Sequence, residues 1–596
     1  MKRSFTAIAV LTALLIASPP ASAAPREDSD HFEAYFPFGD GINTLHADVL
    51  RPKGMAEDER TPVILTVSPY TNHGGLPTYD SVNTHLAGEG PSERFYDFLN
   101  HSRALEQGYT YVMVDLPGFG GSSGCNDWGG VREQGAVKAA VEWSASQPWS
   151  NGRVGLIGKS YDAWTGLMGI AQQPEGLEAV ASLEPVYAGY NYLYHNGVRF
   201  QNSLLTPALF QAFDAQPGPP ASSDPQYLAN GAPQAWCYGV NQGMQQIDDP
   251  NHPFWVERNL LPQTVGDTTP LFLTQGFLES NTKPDAAFDF WNGLGGTEHR
   301  AWFGQFNHCR GWETQSECDL AGNNDRMAVG REGFIDELMR FFDEHLKQIE
   351  PEADEPTIVV QDQQARYRAE ESWPPADATT IWNDLRTGTY VDDNGNRAYG
   401  SGAQTGNGVW TFSQPLPHRA WLAGEPVLKV RVNATAPRAN LVGLVYDVDP
   451  EGSAQLISRG AYLLRGQGEQ SATFDLYGQD WVLEEGHRIG VLVTGSDASW
   501  YNALVPTQQT VTVESARVSL PFLGYERTEF LDGDSTPALE THLGRIAPVA
   551  DHIEGAEGEF ALPSALAPMP EAGPPAGNGK RKGPPSGLPI GRPGRR

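Results

Sequence analysis

Short runs of apolar residues alternate with amphipathic stretches through residues 31–350. The runs are almost continuously apolar, which is typical of strands buried on both faces of a parallel sheet. Residues 334–347 have the apolar spacing of an amphipathic helix, and residues 163–172 also have a helical composition. The pattern therefore predicts an α/β unit. Its strands are expected at 63–67, 111–115, 154–157, 180–183, 271–274 and 301–303.

Two changes of pattern divide the rest of the chain. The strand rhythm stops between 185 and 269, where Tyr, Gln, Asn and Pro are frequent, and this stretch is predicted to be a helical cap inserted over the sheet. After residue 356, alternating segments separated by turn residues predict an all-β sandwich. The predicted division is a signal segment at 1–23, an α/β unit at 24–184 and 270–355, the cap at 185–269, a β domain at 356–555, and a disordered Pro/Gly-rich basic tail at 556–596.

The start of the chain has the features of a secretory signal. Lys2 and Arg3 make it basic, residues 5–16 form a short apolar core, and residues 21–23 (ASA) fit the small-x-small rule of signal peptidase. We expect cleavage after Ala23 and a secreted protein that is not held in a membrane, with an uncleaved membrane anchor as the alternative. The basic tail could contact an anionic cell wall, or simply remain solvated.

Composition and charge narrow the function classes. The chain has 41 Lys+Arg against 73 Asp+Glu, a formal net charge of −32. A general nucleic-acid binder needs a basic surface, so that class is excluded. A hydrophobic content of 39% with 15 Trp residues excludes wholesale disorder.

The four cysteines are too few for a disulfide scaffold, but export makes individual disulfides plausible. Cys309 and Cys318 are close enough in sequence to staple one loop, which would leave Cys125 and Cys237 as a long-range pair. Four cysteines allow three connectivities, and four buried thiols remain the alternative.

A serine lies where a predicted strand runs directly into a predicted helix. Residues 158–163 (GKSYDA) place Ser160 on this turn, which is the position of a nucleophile elbow. The turn would lift the hydroxyl clear of the sheet, close to a helix N-terminus that favours negative charge. The usual G-x-S-x-G pattern is not met, because Asp162 stands at the fourth position. A serine that only caps the helix is the alternative.

The partners of this serine are expected in a fixed order along the chain. In α/β hydrolases the serine is followed by an acid and then by a histidine, each just past the end of a strand. Glu279 follows strand 271–274, with Asp285 in reserve, and His308 follows strand 301–303. The backbone N–H of Tyr161 is one expected oxyanion donor. Tyr70, in the loop after strand 63–67, could supply the other, or could be an ordinary packed aromatic.

The ordered motifs resemble the Xaa-Pro dipeptidyl-peptidase family of serine hydrolases, which includes cocaine-esterase-like acylases. The elbow resembles the family's G-x-S-Y-x-G, with Ala163 in place of the last Gly. Residues 115–124 (DLPGFGGSSG) look like D-x-R-G-x-G-x-S-x-G, with Pro117 in place of Arg. Residues 276–284 (GFLESNTKP) look like G-L-N-D-x-N-V-K-P, which puts Glu279 on the family's catalytic Asp. Pro69 and Tyr70 match the family's P-Y.

The resemblance implies an α/β-hydrolase fold with an inserted helical cap, followed by an all-β jelly-roll domain. It also implies acyl transfer, with Ser160 as nucleophile, His308 as base, and the Tyr70 hydroxyl as an oxyanion donor. No cofactor is expected. No metal is expected either, because His73 and His308 have no partners at ligand spacing.

The substrate is predicted to be a peptide or an ester. An exopeptidase needs a carboxylate for the free α-amino group, and Glu184 or Asp162 could supply it, although either could be a structural ion pair. Tyr190 and Trp236 could line a pocket for Pro, or belong to ordinary cap packing. The resemblance favours a di- or tripeptidyl-peptidase with Xaa-Pro preference. A carboxylesterase is the alternative, and a catalytically dead carbohydrate- or wall-binding protein is a remote one.

Overall fold

The computed structural model describes most of the chain between residues 26 and 570. The predicted signal segment and residues 571–596 of the predicted tail lie outside the described residues. Among the described residues, no helix is both long and apolar enough to cross a membrane. The described ranges are 26–39, 41–73, 91–204, 206, 224–230, 235–318, 326–352, 355–400, 403–502 and 506–570.

A ten-stranded, mainly parallel sheet forms the centre of the first domain, with the strand order β1-β2-β4-β3-β5-β6-β9-β10-β11-β12. The six strands predicted for this unit are all present, so that part of the prediction is confirmed. The strands are β1 Ser29–Pro37, β2 Thr44–Pro52, β3 Thr61–Ser68, β4 Thr110–Asp115, β5 Ser150–Lys159, β6 Leu177–Leu183, β9 Leu271–Gly276, β10 Arg300–Gly304, β11 Ile358–Gln361 and β12 Tyr367–Glu370, while β7 Tyr194–His195 and β8 Val198–Phe200 lie in the cap.

Helices cover both faces of this sheet, because alternate side chains of its strands enter two separate apolar clusters. Val63 and Leu65 pack with the second and third helices on one face. Ile64 packs with the first helix and with residues 334–346 on the other. The helices are α1 Tyr96–Ser102, α2 Val131–Ser146, α3 Tyr161–Gln172, α4 Gly189–Leu193, α5 Pro225–Asn230, α6 Ala235–Met244, α7 Pro253–Val256, α8 Leu261–Thr264, α9 Ala287–Gly293, α10 Gln315–Cys318, α11 Phe334–Phe342 (continued by a π-helical turn, Asp343–Lys347), α12 Pro537–Leu543 and α13 Ala550–Ile553.

The carboxyl ends of four neighbouring parallel strands are level with one another. Lys159 of β5 is in register with Leu183 of β6, and Leu183 is in register with Thr274 of β9. Gly276, the last residue of β9, is in register with Gly304, the last residue of β10. Residues that follow these strands therefore meet at one edge of the sheet, where ligands bind in open α/β folds.

The predicted cap consists of short helices between β6 and β9, and it is fastened to both domains. The Cys125–Cys237 disulfide joins it to the α/β unit, with a Cα–Cα distance of 5.9 Å. Arg258 of the cap donates to the carbonyl oxygens of Asp127 and Trp128. Strands β7 and β8 form a small sheet with β23 (Tyr501–Asn502) of the second domain.

Two antiparallel sheets pack face to face in the second domain, so the all-β prediction is confirmed. Their apolar faces share one core, to which Val430 and Val518 contribute from one sheet and Val445 and Val491 from the other. The strands are β13 Thr379–Leu385, β14 Gly388–Val391, β15 Gly408–Phe412, β16 Ala420–Gly424, β17 Val427–Ala434, β18 Arg438–Val448, β19 Ser453–Arg465, β20 Gly468–Asp475, β21 Gln479–Leu483, β22 Arg488–Thr494, β23 Tyr501–Asn502, β24 Thr510–Phe522 and β25 Ile546–Pro548.

The structure corrects two predicted boundaries. Strands β11 and β12, at 358–370, pair with β10 and with each other, so the α/β sheet continues beyond residue 355. The predicted tail is wrong for residues 556–570. Phe560 is buried in the core of the β domain, and Glu557 forms a β-bridge with Phe412. An apolar anchor within a Pro-rich stretch is enough to fix it to the domain.

Candidate active site

Ser160 lies on a sharp turn between β5 and α3. Its φ of 66° falls in the left-handed region that non-glycine residues rarely adopt. The Ser160 N–H donates to the Leu183 carbonyl oxygen at 2.9 Å, which ties the turn to the end of β6. Gly158 makes the turn possible, because a Cβ there would lie 2.3 Å from the backbone carbonyl carbon of Asp162. The side chain of Ser160 is half-buried, as expected for a nucleophile elbow.

The predicted acid and base lie side by side just beyond β9 and β10. His308 Nδ1 is 2.7 Å from Glu279 Oε2, whereas Asp285, the reserve acid, bonds to Asn191 instead. Glu279 is fully buried and the His308 side chain is 19% exposed. Burial disfavours the charge on Glu279, but the His308 ring and the Asn281 N–H outweigh it, so the pKa of Glu279 lies below its usual value. Among the described residues, no hydrogen bond joins Ser160 to His308.

Glu184 lies against Glu279, which sequence reasoning did not anticipate. Its Oε2 accepts from the Gly276 N–H at 3.1 Å, and its Oε1 has no donor among the described residues. The two carboxyl groups are close enough for their charges to interact. Burial, and then the charge of Glu279, raise the pKa of Glu184 well above its usual value. Burial and the neighbouring negative charge therefore favour the protonated form of Glu184.

The two tyrosines predicted for the oxyanion hole are neighbours. The Tyr70 and Tyr161 rings meet edge to face with centroids 6.3 Å apart. The Arg94 guanidinium lies 4.2 Å from the centre of the Tyr70 ring. The Tyr161 hydroxyl donates to the buried Glu133 at 2.7 Å, which fixes the residue after Ser160. The loop after β3 is thus packed against the elbow, where an oxyanion donor belongs.

The predicted substrate-binding residues are engaged in contacts within the protein. Asp162 is fully buried and accepts from the Arg94 guanidinium at 2.7 and 2.9 Å. The ion-pair alternative therefore describes Asp162, and Glu184 is likewise buried, beside Glu279. The Tyr190 hydroxyl donates to the Asp248 carbonyl oxygen, and its ring stacks on Tyr194 in the cap core. The side chain of Trp236 lies outside the described residues.

The loop that carries His308 is anchored on both sides. The predicted Cys309–Cys318 disulfide is present and begins at the residue after His308, with a Cα–Cα distance of 5.3 Å. Glu313 accepts from the Arg310 N–H at 2.7 Å and lies 3.5 Å from Lys159 Nζ. Because Lys159 precedes Ser160, this buried contact links the histidine loop to the elbow.

One buried group of side chains could hold a metal ion. The ligand atoms of His46, Asp48 and His73 lie within 4.8 Å of one another, so folding brings His73 partners that its sequence spacing does not reveal. The ligand atoms of these three residues already have hydrogen-bond partners within the protein. His73 Nε2 is 2.8 Å from Asp48, and the two ring nitrogens of His46 face Asp115 and Glu33. The group is a network of alternating carboxylates and imidazoles.

The fold and this edge of the sheet define an α/β hydrolase that carries a C-terminal β domain. Residues 40–310 match the family described as X-Pro dipeptidyl-peptidase (S15 family), and residues 352–530 match the X-Pro dipeptidyl-peptidase C-terminal non-catalytic domain. The chain belongs to the X-Pro dipeptidyl-peptidase (S15) family, and the predicted resemblance is confirmed.

Individual relatives carry both peptidase and esterase names. The chain is 24% identical to a Streptomyces avermitilis protein predicted to be a Xaa-Pro dipeptidyl-peptidase, over 87% of this chain and 88% of that protein. It is 23% identical to a Mycobacterium bovis protein predicted to be a serine esterase, over 84% of this chain and 97% of that protein. A solved CocE/NonD family hydrolase from Staphylococcus aureus shares the fold, with a TM-score of 0.62, 16% identity, and coverage of 83% and 94%.

Proposed function

We propose that the protein is a secreted serine exopeptidase that releases N-terminal di- or tripeptides, with a preference for Xaa-Pro. The observation that carries this proposal is the 2.7 Å contact between His308 and the buried Glu279, at the sheet edge that also bears Ser160 on its elbow. A base oriented by an acid, next to a serine on a strained turn, is the arrangement that activates a hydroxyl for acyl transfer.

Ser160 Oγ attacks the carbonyl carbon of the scissile bond, and its proton passes to His308 Nε2. Glu279 keeps the ring oriented and stabilises the imidazolium. The carbonyl oxygen becomes an oxyanion, which the Tyr161 N–H and the Tyr70 hydroxyl stabilise. The carbon–nitrogen bond breaks as His308 gives the proton to the leaving amine. Water then attacks the acyl-enzyme, with the same histidine as base.

Release of an N-terminal fragment requires a partner for the free α-ammonium. Asp162 and Glu184 are committed to Arg94 and Glu279, so neither is available. Asp285 is half-buried, accepts from Asn191 at 2.9 Å, lies 3.9 Å from His195 Nε2, and is near the carboxylates of Asp289 and Glu425. We assign the ammonium to Asp285, since a carboxylate beside other carboxylates gains most from a cation.

A carboxylesterase of the cocaine-esterase type is the second candidate. The burial of both carboxylates predicted to hold an amine favours it, because an ester substrate needs no ammonium partner. The acyl-transfer chemistry is the same for both functions.

The deciding experiment compares Ala-Pro-p-nitroanilide, its N-acetylated form, and p-nitrophenyl butyrate. The exopeptidase proposal expects turnover of the free anilide and loss of that turnover on N-acetylation or in Asp285→Asn. Turnover of the ester alone would favour the esterase.

A fluorophosphonate probe tests the serine mechanism separately. We expect labelling of the protein and of Ser146→Ala, an exposed control, and none of Ser160→Ala. Absence of labelling in the unaltered protein would instead indicate a binding protein without activity. N-terminal sequencing of protein from the medium, expected to begin at Ala24, tests secretion.

A further inference from the structure

A cavity of about 300 Å³ lies between the two domains, beside the proposed catalytic base. Ser280, Asn307 and His308 line it from the loops after β9 and β10. The β domain supplies the opposite wall, which includes Tyr399, Arg459, Tyr477, Trp500, His542 and Arg545. Cavities of this size accommodate small ligands.

The charge of this wall is opposite to that of the protein. The sequence has 73 Asp+Glu against 41 Lys+Arg, yet none of the described residues that line the cavity is an Asp or a Glu. Arg459 and Arg545 both line it. Asp497 balances the charge of Arg459, whereas no carboxylate among the described residues pairs with Arg545.

Two titratable groups in the wall respond to this positive charge. Burial would raise the pKa of Tyr399, but Arg459 and Arg545 bring it below its usual value. Burial lowers the pKa of His542 to about 4, and the same two arginines contribute. His542 is therefore neutral at physiological pH. The arginines that shift both groups also favour an anion in the cavity.

The arginines are held in place before any ligand arrives. Arg459 Nη1 lies 2.6 Å from the buried Asp497, and its guanidinium is 4.4 Å from the centre of the Trp500 ring. Arg545 donates to the Tyr399 hydroxyl at 3.2 Å, and its guanidinium lies over the Tyr399 ring. Preorganised guanidinium groups lose little entropy on binding a carboxylate.

We propose that this cavity binds the C-terminal carboxylate of a short peptide leaving group, so that the enzyme favours tripeptides and other short peptides with a free C-terminus. This inference rests on the proposed function. In that mechanism His308 gives its proton to the leaving amine, so the leaving group departs past His308. Arg459 and Arg545 then hold the carboxylate at the far wall, with aromatic side chains around the intervening residue.

The test compares Ala-Pro-Gly with its C-terminal amide on the full-length protein. We expect kcat/KM to be about tenfold higher for the acid, as for one charge-assisted hydrogen bond. In Arg545→Gln the acid-to-amide ratio should fall to about one. Because both substrates are measured on the same enzyme sample, the acid-to-amide ratio does not depend on how much of the protein is folded. Arg465→Gln, an exposed arginine of β19 that pairs with Asp248 outside the cavity, should keep the ratio.

Equal cleavage of acid and amide, or an unchanged ratio in Arg545→Gln, would overturn the inference. If acetate changes p-nitrophenyl butyrate hydrolysis while acid and amide are cleaved equally, the cavity binds a free anion and the leaving-group assignment is wrong. If no peptide is cleaved, the exopeptidase function itself fails. Inhibition of ester hydrolysis by Gly-Gly but not by Gly-Gly-amide would then still support the carboxylate site, and equal inhibition would overturn it.

Discussion

The protonation of Glu184 influences the charge of Glu279, the carboxylate that contacts His308. Glu184 lies beside Glu279, and its Oε2 accepts from the Gly276 N–H at 3.1 Å and from the Gln275 side-chain amide at 3.3 Å. A glutamine can accept the same bonds and place an N–H beside Glu279 without titrating, whereas a leucine can do neither. The pair of substitutions therefore separates a positioning role from mere space filling.

We expect Glu184→Gln to keep kcat/KM within about twofold, and Glu184→Leu to lower it about tenfold. Without a polar group beside it, the buried charge of Glu279 is less stabilised, and the carboxylate that orients His308 is held less well. Infrared difference spectra should show a carboxylic acid band in the unaltered protein that Glu184→Gln lacks. Equal damage in the two variants would contradict this account.

The histidine loop is an element whose shape depends on one cross-link. Cys309 follows His308 directly, and the disulfide closes a loop with a sequence separation of 9. Cys309→Ser/Cys318→Ser should lower the free energy of unfolding by about 2–3 kcal/mol and slow fluorophosphonate labelling of Ser160. Denaturant titration and labelling rates measure the two effects. An unchanged labelling rate would mean that Glu313 and Lys159 alone hold the loop.

The elements of the α/β unit could be predicted because each buried strand is a short apolar run with a turn at its end. The assignment of residues 358–361 to this sheet could not be predicted from the sequence. Its apolar residues fit either domain, and only the pairing of Trp302 with Val359 decides between them. The order of residues past the strand ends likewise located Ser160, Glu279 and His308. Arg459 and Arg545 gave no such signal, because they come from a different domain and only folding brings them to His308.

The two domains share a buried ion pair. Arg368 of β12 donates to Asp480 of β21 at 2.7 and 2.9 Å, and the Trp421 indole N–H donates to the same carboxylate. Asp480→Ala removes one of the two carboxylate partners of the buried Arg368 guanidinium, whose Nε still donates to Glu370 at 2.6 Å, and should cost about 3 kcal/mol. Because the pair joins the domains, both should melt together at a lower Tm in calorimetry. Glu526→Ala, which removes a more exposed partner of Arg419, is the control and should change the Tm little. A normal Tm in Asp480→Ala would contradict a shared core.

The buried imidazole–carboxylate network makes the stability of the whole molecule depend on pH. Burial disfavours the charge on His46, but Asp115 and Glu33 raise its pKa to about 10. The folded protein holds this proton more tightly than the unfolded chain, so the stabilisation is complete below about pH 6.5 and is lost as the pH rises through 10. The Tm should fall between pH 7 and 10, and less steeply in His46→Gln. Parallel pH dependence in the two proteins would exclude His46 as the cause.

The shared sheet of β7, β8 and β23 sets a rule for recombination between relatives. A cap cut out at its two sequence boundaries would leave behind Tyr501 and Asn502, the edge with which β8 pairs. The segment that must be exchanged as a unit is therefore discontinuous in sequence. It consists of the cap and of residues 501–502 of the β domain. Chimaeras that exchange both segments should fold. Those that exchange the cap alone should lose the pairing between β8 and β23.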